Sequence, residues 1–178
     1  MFSTIDSGAV CGLQAYLVRV EVDLAGGLPA FLMVGSLGSE VRESRERVCV
    51  AMKNSGFQIP PGHITVNLAP ADRRKDGTAF DLPIAIGLLQ DMELLKEDAV
   101  KDTLFLGELG LNGEIKKAKG VLPIVREATL RGIHRVIVPR ENALEAAVIP
   151  GVTVWGVGNL GELFMALVHP GEDEEKIY

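Results

Sequence analysis

The order in which hydrophobic periods occur along the chain limits its fold more than any other feature. The segment AYLVRVEVDL, residues 15–24, alternates apolar and charged positions with a period of two, which is typical of a half-buried strand. A Gly-Gly-Leu-Pro turn then leads into PAFLMVG. We therefore predict an antiparallel hairpin formed by these two segments.

The period becomes helical from about Leu37 to Asn54. Val41, Val48 and Met52 share one face of this segment, and Gly56 is well placed to end the helix. We predict a single amphipathic helix with a charged, solvated side. That side is formed by Arg42, Arg45 and Arg47.

Strand and helix patterns alternate through the rest of the chain. Strands at the start and alternation later predict an α+β fold, a mixed α/β sandwich. The expected elements are a strand at His63–Pro70, a helix at Leu82–Leu89, two strands about the LGLNG turn, a helix at Pro123–Arg131, a strand at HRVIVP, a helix at Asn142–Val148, a strand at GVTVWG and a closing helix at LGELFMAL.

Length and charge indicate one domain with an acidic end. At 178 residues and 47% hydrophobic content, the chain is long enough for one sizeable core. The net charge is −6, and the last eight residues, GEDEEKIY, carry four acids and one lysine. We predict a domain over residues 1–168 and a solvated linker over residues 169–178. An acidic surface of this kind excludes wrapping of nucleic acid by bulk attraction, so any contact must be local.

The cysteines and histidines are scattered. Cys11 and Cys49 lie far apart, and His63, His134 and His169 have no metal-ligand spacing, so we expect no metal site. The chain has no basic segment followed by an apolar signal core, and no apolar run approaches the length of a membrane span. The prediction is a reduced, cytoplasmic protein without membrane contact.

The stretch RRKDGTAFDLPIAIGLL, residues 73–89, joins a basic loop to an apolar helix. A polar turn before a helix N-terminus collects unpaired backbone N–H groups and can receive an anion or an oxyanion. The simpler interpretation is a capped, buried helix. We prefer Asp81 over Thr78 as the cap, because Pro83 then falls in the first turn, where its missing N–H costs nothing.

Three long segments carry a family resemblance. They are GLPAFLMVGSL, VRESRERVCVAMKNSGFQIPPGHITVNLAPADRRKDGTAFDLPIAIGLL and GELGLNGEIKKAKGVLPIVREATLRGIHRVIVPREN. In this order they resemble the N-terminal domain of the ComM/YifB family of magnesium-chelatase-like AAA+ ATPases, over about Ile5 to Leu167. The resemblance implies a Lon-like N-terminal domain, with the fold of the Lon proteolytic domain, of the corresponding RadA domain and of the second domain of a small-subunit ribosomal protein.

The same resemblance implies partners and cofactors outside this chain. An ATPase module would follow the linker, use ATP and Mg²⁺, and assemble with neighbouring subunits into a hexamer for DNA branch migration in recombination and natural transformation. No Gly-x-x-x-x-Gly-Lys-Ser/Thr loop occurs in the sequence, so we expect no ATP hydrolysis and no cofactor in this chain. Nothing resembles a porphyrin or metal site, so magnesium chelation is not carried over from the family's name.

Laid on the Lon-like peptidase motif, the loop KDGTAFD places Ala79 at the nucleophilic serine position. The ungapped continuation places Leu122 at the position of the partner lysine. Nucleophilic catalysis needs an activatable hydroxyl with a base in reach, so we predict that the chain is not an enzyme. An alternative is a peptidase that uses Thr78 and Lys119, which would need a shift of register.

The leading hypothesis is a non-catalytic domain that serves ring assembly, DNA contact or both. Its candidate phosphate contacts lie in two basic groups, the junction loop and the turn before residue 121. A third alternative is a protein-interaction module without DNA contact, using apolar surface near Phe80 or Trp155. The basic residues are Arg73, Arg74 and Lys75 in the first group, and Lys116, Lys117 and Lys119 in the second.

Overall fold

A computed structural model describes residues 2–169 of the chain. In that range the strands are β1 (Phe2–Cys11), β2 (Gln14–Ala25), β3 (Ala30–Val34), β4 (His63–Ala69), β5 (Thr103–Phe105), β6 (Glu108–Leu109), β7 (Ile115–Lys116), β8 (Arg135–Pro139) and β9 (Thr153–Val157). The helices are α1 (Ser39–Arg42), α2 (Ser44–Asn54), α3 (Asp81–Asp91), α4 (Glu97–Val100), α5 (Val121–Leu130), α6 (Ala143–Ala146) and α7 (Leu160–Val168), and a 3₁₀ turn precedes α6 at Arg140–Asn142.

Seven strands form one mixed sheet in the order β3-β4-β2-β1-β5-β8-β9. β2 pairs antiparallel with β1 and with β4, and the other four neighbouring pairs are parallel. Strands β6 and β7 form a separate antiparallel ribbon. The fold is therefore mixed α/β, which confirms the predicted class at this level. Parallel neighbours need crossover connections, which the helices supply.

Different helices cover the two faces of the sheet. Helix α3 lies against β1 and β2 on one face, where Gly87 approaches Val22 closely. Helix α5 covers the other face, where Ile124 lies against Gly8 of β1. The first core also contains residues from α2 and α7, and the second contains residues from α6. The result is a three-layer arrangement with the sheet in the middle.

Strand β1 was not predicted from the sequence. Its segment FSTIDSGAVC lacks a continuous apolar stripe, because Ser3 and Ser7 occupy inward positions. Both hydroxyls are satisfied in the interior: Ser3 Oγ donates to Gly87 O at 2.8 Å and Ser7 Oγ donates to Phe105 O at 2.7 Å. Buried serines are tolerated when such acceptors are present, so polarity at these positions conceals a central strand.

The predicted hairpin between residues 15–24 and PAFLMVG is wrong. Strand β3 pairs in parallel with β4, and β4 lies between β3 and β2. Both edges of β2 are occupied, one by β1 through a tight hairpin and the other by β4. The turn residues after β2 therefore end the strand without returning the chain along it.

The other predicted elements are present with small shifts. The helix over 37–54 begins at Ser39 and is divided at Glu43 into α1 and α2. The two strands about LGLNG are β6 and β7, and the helices and strands from Pro123 onward correspond to α5, β8, α6, β9 and α7. Of the predicted linker over 169–178, residues 170–178 lie outside the described residues. None of the helices in the described range has the length and apolar character needed to cross a membrane.

Candidate functional site

The basic junction loop presents two of its three cations to solvent and buries the third. Lys75 is 0% exposed, and its Nζ donates to Gly35 O at 2.6 Å and to Pro70 O. Its backbone also bonds to the loop after β3, through Ser36 O at 2.9 Å and Gly38 N at 2.8 Å. Burial lowers the pKa of Lys75. The prediction that Lys75 contacts DNA is wrong, because its ammonium group links two loops inside the protein.

The two arginines before Lys75 are exposed but differ in their partners. Arg74 Nε lies 3.1 Å from Asp76 Oδ1 in a solvent-exposed ion pair. The guanidinium carbon of Arg73 lies 4.7 Å from the centre of the Tyr16 ring. Tyr16 is itself held by its hydroxyl, which donates to Arg74 O at 3.0 Å. Burial raises the pKa of Tyr16, and the positive charge of Arg73 partly opposes that shift.

Asp81 does not cap α3, contrary to the prediction. Phe80 occupies the N-cap position and provides no side-chain bond, while Asp81 is the first helical residue and is 0% exposed. Its carboxylate accepts hydrogen bonds from Ser44 Oγ at 2.5 Å, from Arg47 Nε at 2.6 Å and from Leu109 N at 3.0 Å. Burial raises the pKa of Asp81, and these hydrogen bonds oppose the rise.

The same contact corrects the prediction for the arginines of the first helical segment. Arg42 and Arg45 are exposed, as predicted for a solvated side. Arg47 turns inward, and only 18% of its side chain is exposed where it pairs with Asp81. The cluster of Ser44, Arg47 and Asp81 joins α2 to α3 and, through Leu109, to the β6–β7 ribbon.

A groove of about 670 Å³ lies beside the junction loop. Thr78, Ala79, Lys117 and Lys119 all line it, so the structure brings the candidate pair Thr78 and Lys119 into one groove with Ala79 and Lys117. Leu122 does not line this groove; it lies in the first turn of α5, and 38% of its surface is exposed. Glu40, Asp76 and Glu108 also line the groove, which therefore has mixed charge.

The groove contains a hydroxyl and two amines, but they are not paired. Within residues 2–169, Thr78 Oγ makes no hydrogen bond with Lys119 or with any other side chain. Lys117 and Lys119 flank Ala118, whose N–H donates to Asn142 Oδ1 at 2.9 Å and whose carbonyl accepts from Asn142 Nδ2 at 3.0 Å. Asn142 was missed as a positioning residue, and its place in a helix start conceals its role.

Lys116 does not line the groove, although its register partner Glu108 does. It is exposed on β7 and pairs in register with Glu108 of β6.

The two apolar residues predicted to lie near a docking surface, Phe80 and Trp155, are not fully exposed. Phe80 is 2% exposed and belongs to the core, so its ring adds little apolar surface to the first groove, which it lines. Trp155 is half-buried, with the guanidinium carbon of Arg135 5.0 Å from its ring centre.

A second groove, of about 780 Å³, lies between the β1–β2 turn, the loop after β4 and the outer side of α5. Arg73, Arg126 and Arg131 line it together with Asp72 and Glu127. Arg126 and Arg131 were not among the residues predicted from the sequence. The sequence places them on the polar side of an amphipathic helix. Most surface helices have such a side, so this position alone does not indicate a binding groove.

The metal-ligating residue types are dispersed. Within residues 2–169, no three His, Cys, Asp or Glu side chains form a group able to hold a metal ion. The two cysteines are unpaired, Cys11 being exposed and Cys49 half-buried.

These features define a mixed α/β domain with two charged surface grooves and with no phosphate-binding loop in its sequence. Residues 20–142 match the family model described as subunit ChlI of Mg-chelatase. The chain belongs to this Mg-chelatase-like family.

Known relatives agree with this assignment. The chain is 41% identical over 143 residues to the competence protein ComM of Haemophilus influenzae. The aligned region covers 80% of this chain and 28% of ComM. It is 39% identical over 149 residues to the uncharacterised protein YifB of Escherichia coli. The aligned region covers 84% of this chain and 29% of YifB. The resemblance to the ComM/YifB family is thereby confirmed.

The chain also has a weaker similarity to a DNA repair protein. Over 93 residues the chain is 32% identical to the DNA repair protein RadA of Streptococcus pyogenes, covering 52% of this chain and 20% of RadA. The chain thus spans less than a third of the length of each of these relatives.

Proposed function

We propose that this chain is a non-catalytic N-terminal domain of a larger ATP-driven protein that acts on DNA, and that it serves ring assembly and DNA contact. Membership of the Mg-chelatase-like family and similarity to a competence protein and a DNA repair protein support the proposed action on DNA. The relatives' greater length supports the presence of a separate ATPase module with ATP and Mg²⁺. A cytoplasmic hexamer is part of the same proposal.

The chemistry of the first groove carries the non-catalytic part of the proposal. Ala79 occupies the position that the Lon-like motif assigns to the nucleophile, and its methyl group cannot attack a carbonyl. The adjacent Thr78 Oγ has no hydrogen bond to a base within the described range. A weak hydroxyl nucleophile needs such a base, so a groove of this kind suits binding better than hydrolysis.

The finer fold assignment belongs to this proposal as well. We assign the domain to the Lon-like, ribosomal-protein domain-2-like fold. The supporting features are the position of the KDGTAFD loop directly before α3 and a mixed sheet whose central strands are packed against that helix. Function in such folds depends on the site and not on the architecture, so loss of peptidase chemistry leaves the surface free for another use.

Deletion of residues 1–168 from the longer protein tests the assembly role. We expect the truncated protein to lose hexamers in mass photometry and to lose DNA-stimulated ATP hydrolysis, because its subunits lack one of their contacts. The Ala79→Gly variant, which removes only a methyl group from the groove, serves as the control and retains both properties. Unchanged assembly and unchanged ATPase after the deletion would contradict the proposal.

A Lon-like peptidase using Thr78 and Lys119 is the second candidate, because both residues line the same groove. Incubation of the chain with unfolded casein and a peptide library, followed by mass spectrometry, separates the two functions. The non-catalytic proposal predicts no cleavage. Cleavage that Thr78→Ala and Lys119→Met both abolish, with Lys116→Met active, would establish the peptidase instead.

A further inference from the structure

The second groove collects arginines from two separated parts of the chain. Arg73 comes from the loop after β4, while Arg126 comes from the outer side of α5 and Arg131 directly follows the end of that helix. The tip of the β1–β2 hairpin closes a third side, where Leu13 is 99% exposed. An open groove with walls on three sides admits a chain-like ligand lying along it.

Two of these arginines carry charge that the protein does not neutralise. Arg131 Nε lies 3.0 Å from Glu127 Oε1, so this pair contributes little net field. Within residues 2–169, neither Arg73 nor Arg126 has a carboxylate within ion-pair distance. Asp72 lines the same groove without pairing to either of them. The groove therefore offers two guanidinium groups whose charge is available to an anionic ligand.

The walls that carry these groups are rigid. Arg73 stacks on Tyr16, and Tyr16 is fixed by its hydrogen bond to Arg74 O. The following residue, Lys75, is anchored in the interior by two carbonyls. On the opposite wall, α5 is held close to the sheet because Ile124 lies against Gly8. A donor held in place, as Arg73 is by Tyr16, loses less entropy on binding than a mobile one.

Neighbouring residues at the start of α5 and along the β1–β2 hairpin line the two grooves. Pro123 lines the second groove and Ile124 the first, while Val10 and Leu13 of the same hairpin line the first and the second respectively. Lys117 and Lys119 line the first groove, and Arg126 lines the second. Within the second groove, Arg73 and Arg126 come from two different walls, which suits a ligand with repeated negative charges better than a single anion.

We propose that the second groove binds the phosphodiester backbone of a DNA strand, with Arg73 and Arg126 making the phosphate contacts. This inference rests on the proposed action on DNA and names the surface responsible. Guanidinium groups bind phosphate oxygens in a planar, two-pronged geometry. Such contacts hold a strand without reading its sequence.

Fluorescence anisotropy with labelled single-stranded and duplex DNA, titrated with the 178-residue chain and with the longer protein at several salt concentrations, tests the assignment. For the chain alone we expect a Kd of about 10 µM or weaker at physiological salt, as for few non-specific contacts. Arg73→Ala and Arg126→Ala should each weaken binding about threefold to tenfold and reduce the salt slope by about 0.7 to 0.9.

Arg42→Ala is the matched control. Arg42 is an exposed arginine of α1, beside β3 at the far edge of the sheet, and its removal should leave both the affinity and the salt slope unchanged. Circular dichroism melts of all three variants verify folding. In addition, ¹H–¹⁵N chemical-shift changes on addition of DNA should concentrate in residues 72–74 and on α5.

The outcomes separate this inference from the proposed function. If wild type binds DNA and the Arg73 and Arg126 variants bind equally well, the groove assignment fails while the action on DNA stands. If neither the chain nor the longer protein binds any DNA, both fail. Binding of a glutamate-rich peptide by this groove in place of DNA would also overturn the assignment.

Discussion

Helix α3 begins and ends with a buried carboxylate, and the two carboxylates have different partners. Asp81 pairs with the guanidinium group of Arg47. Asp91 Oδ1 lies 2.6 Å from Ser3 Oγ, in hydrogen-bond contact, and Asp91 Oδ2 accepts a hydrogen bond from Leu24 N at 3.1 Å; burial raises the pKa of Asp91 to about 6. Burial thus raises the pKa of both acids, but at Asp81 the hydrogen bonds from Arg47, Ser44 and Leu109 favour the charged form and oppose the rise.

Replacement of Arg47 by alanine should destabilise the chain strongly. The change leaves Asp81 buried without its cation, and removal of one partner from a buried ion pair costs about 3 to 5 kcal/mol. Urea unfolding at pH 7 measures the loss. Arg45→Ala, on the exposed side of α2, is the control and should change the free energy of unfolding by less than about 0.5 kcal/mol. Similar losses for the two variants would contradict the role assigned to the pair.

Replacement of Asp91 by asparagine should remove a pH-dependent cost. The folded pKa of about 6 lies above the ordinary value of 3.8, so the folded state holds an extra proton between these values. Stability therefore falls as pH rises through this window, by at most about 3 kcal/mol. The amide of asparagine can donate to Ser3 Oγ and accept from Leu24 N, which preserves both contacts.

The difference in unfolding free energy between the Asp91→Asn variant and wild type measures this effect. It should shift in favour of the variant between pH 4 and pH 7 and stay level above pH 7. Urea titrations at half-unit pH intervals provide the curve. A difference that is constant across the whole range would show that Asp91 ionises equally easily in the folded and unfolded chain.

At the scale of the elements, close approach at glycine sets the positions of the two covering helices. A Cβ built on Gly87 of α3 would lie 2.6 Å from Val22 Cγ2 in β2. A Cβ on Gly8 of β1 would lie 2.4 Å from Ile124 Cγ2 in α5. Neither neighbour is the end of a flexible side chain, so the helix and the sheet would have to separate.

Gly87→Ala should therefore destabilise the chain, although alanine is the better helix former. The gain in helix propensity is about 1 kcal/mol, while overpacking of a tight core costs about 1 to 3 kcal/mol. Gly161→Ala in α7 is the control, because the nearest atom to its Cβ is at the ordinary distance of 3.5 Å. Thermal unfolding should show a lower Tm for the first variant and an equal or higher Tm for the second. A rise in Tm for Gly87→Ala would show that α3 is less tightly packed than its geometry indicates.

At the scale of the whole molecule, one sheet separates two cores and supports both. The core on the α3 side and the core on the α5 side use opposite faces of the same strands, as Ile5 and Gly8 of β1 illustrate. Loss of either layer exposes a face of that sheet to water. The two cores are thereby coupled through the strands.

The chain should therefore unfold in a single transition. Trp155, the one tryptophan of the sequence, reports on the edge strand β9, while far-UV circular dichroism reports on all helices. Urea titrations followed by both signals should give coincident midpoints, as two-state unfolding requires. Separate midpoints would mean that the β8–β9 edge unfolds independently of the rest.

Much of the fold was predictable because most elements carry their own periodic signal. Strands β4, β8 and β9 and helices α5 and α7 are amphipathic or uniformly apolar, so local pattern alone locates them. Pairing was less predictable. The position of β3 beside β4 depends on which edges remain free after β1 joins β2, and this is a property of the assembled sheet.

The candidate sites were predicted in part for the same reason. Thr78, Ala79, Lys117 and Lys119 were selected from the sequence and line one groove. Arg126 was missed, because nothing in its local sequence indicates that α5 lies opposite the loop of Arg73. Contacts between residues distant in sequence are visible only after the helix has packed on the sheet.

The amino-acid sequence by itself determined the periodic elements, the mixed α/β class, the family, and the absence of a phosphate-binding loop. The tertiary structure alone decided which charges face water. Lys75 and Arg47 look like solvated cations in sequence, yet the carbonyls of Gly35 and Pro70 and the carboxylate of Asp81 compensate their burial. Whether a charge can leave water depends on partners that come from elsewhere in the chain, and those partners exist only once the layers have assembled.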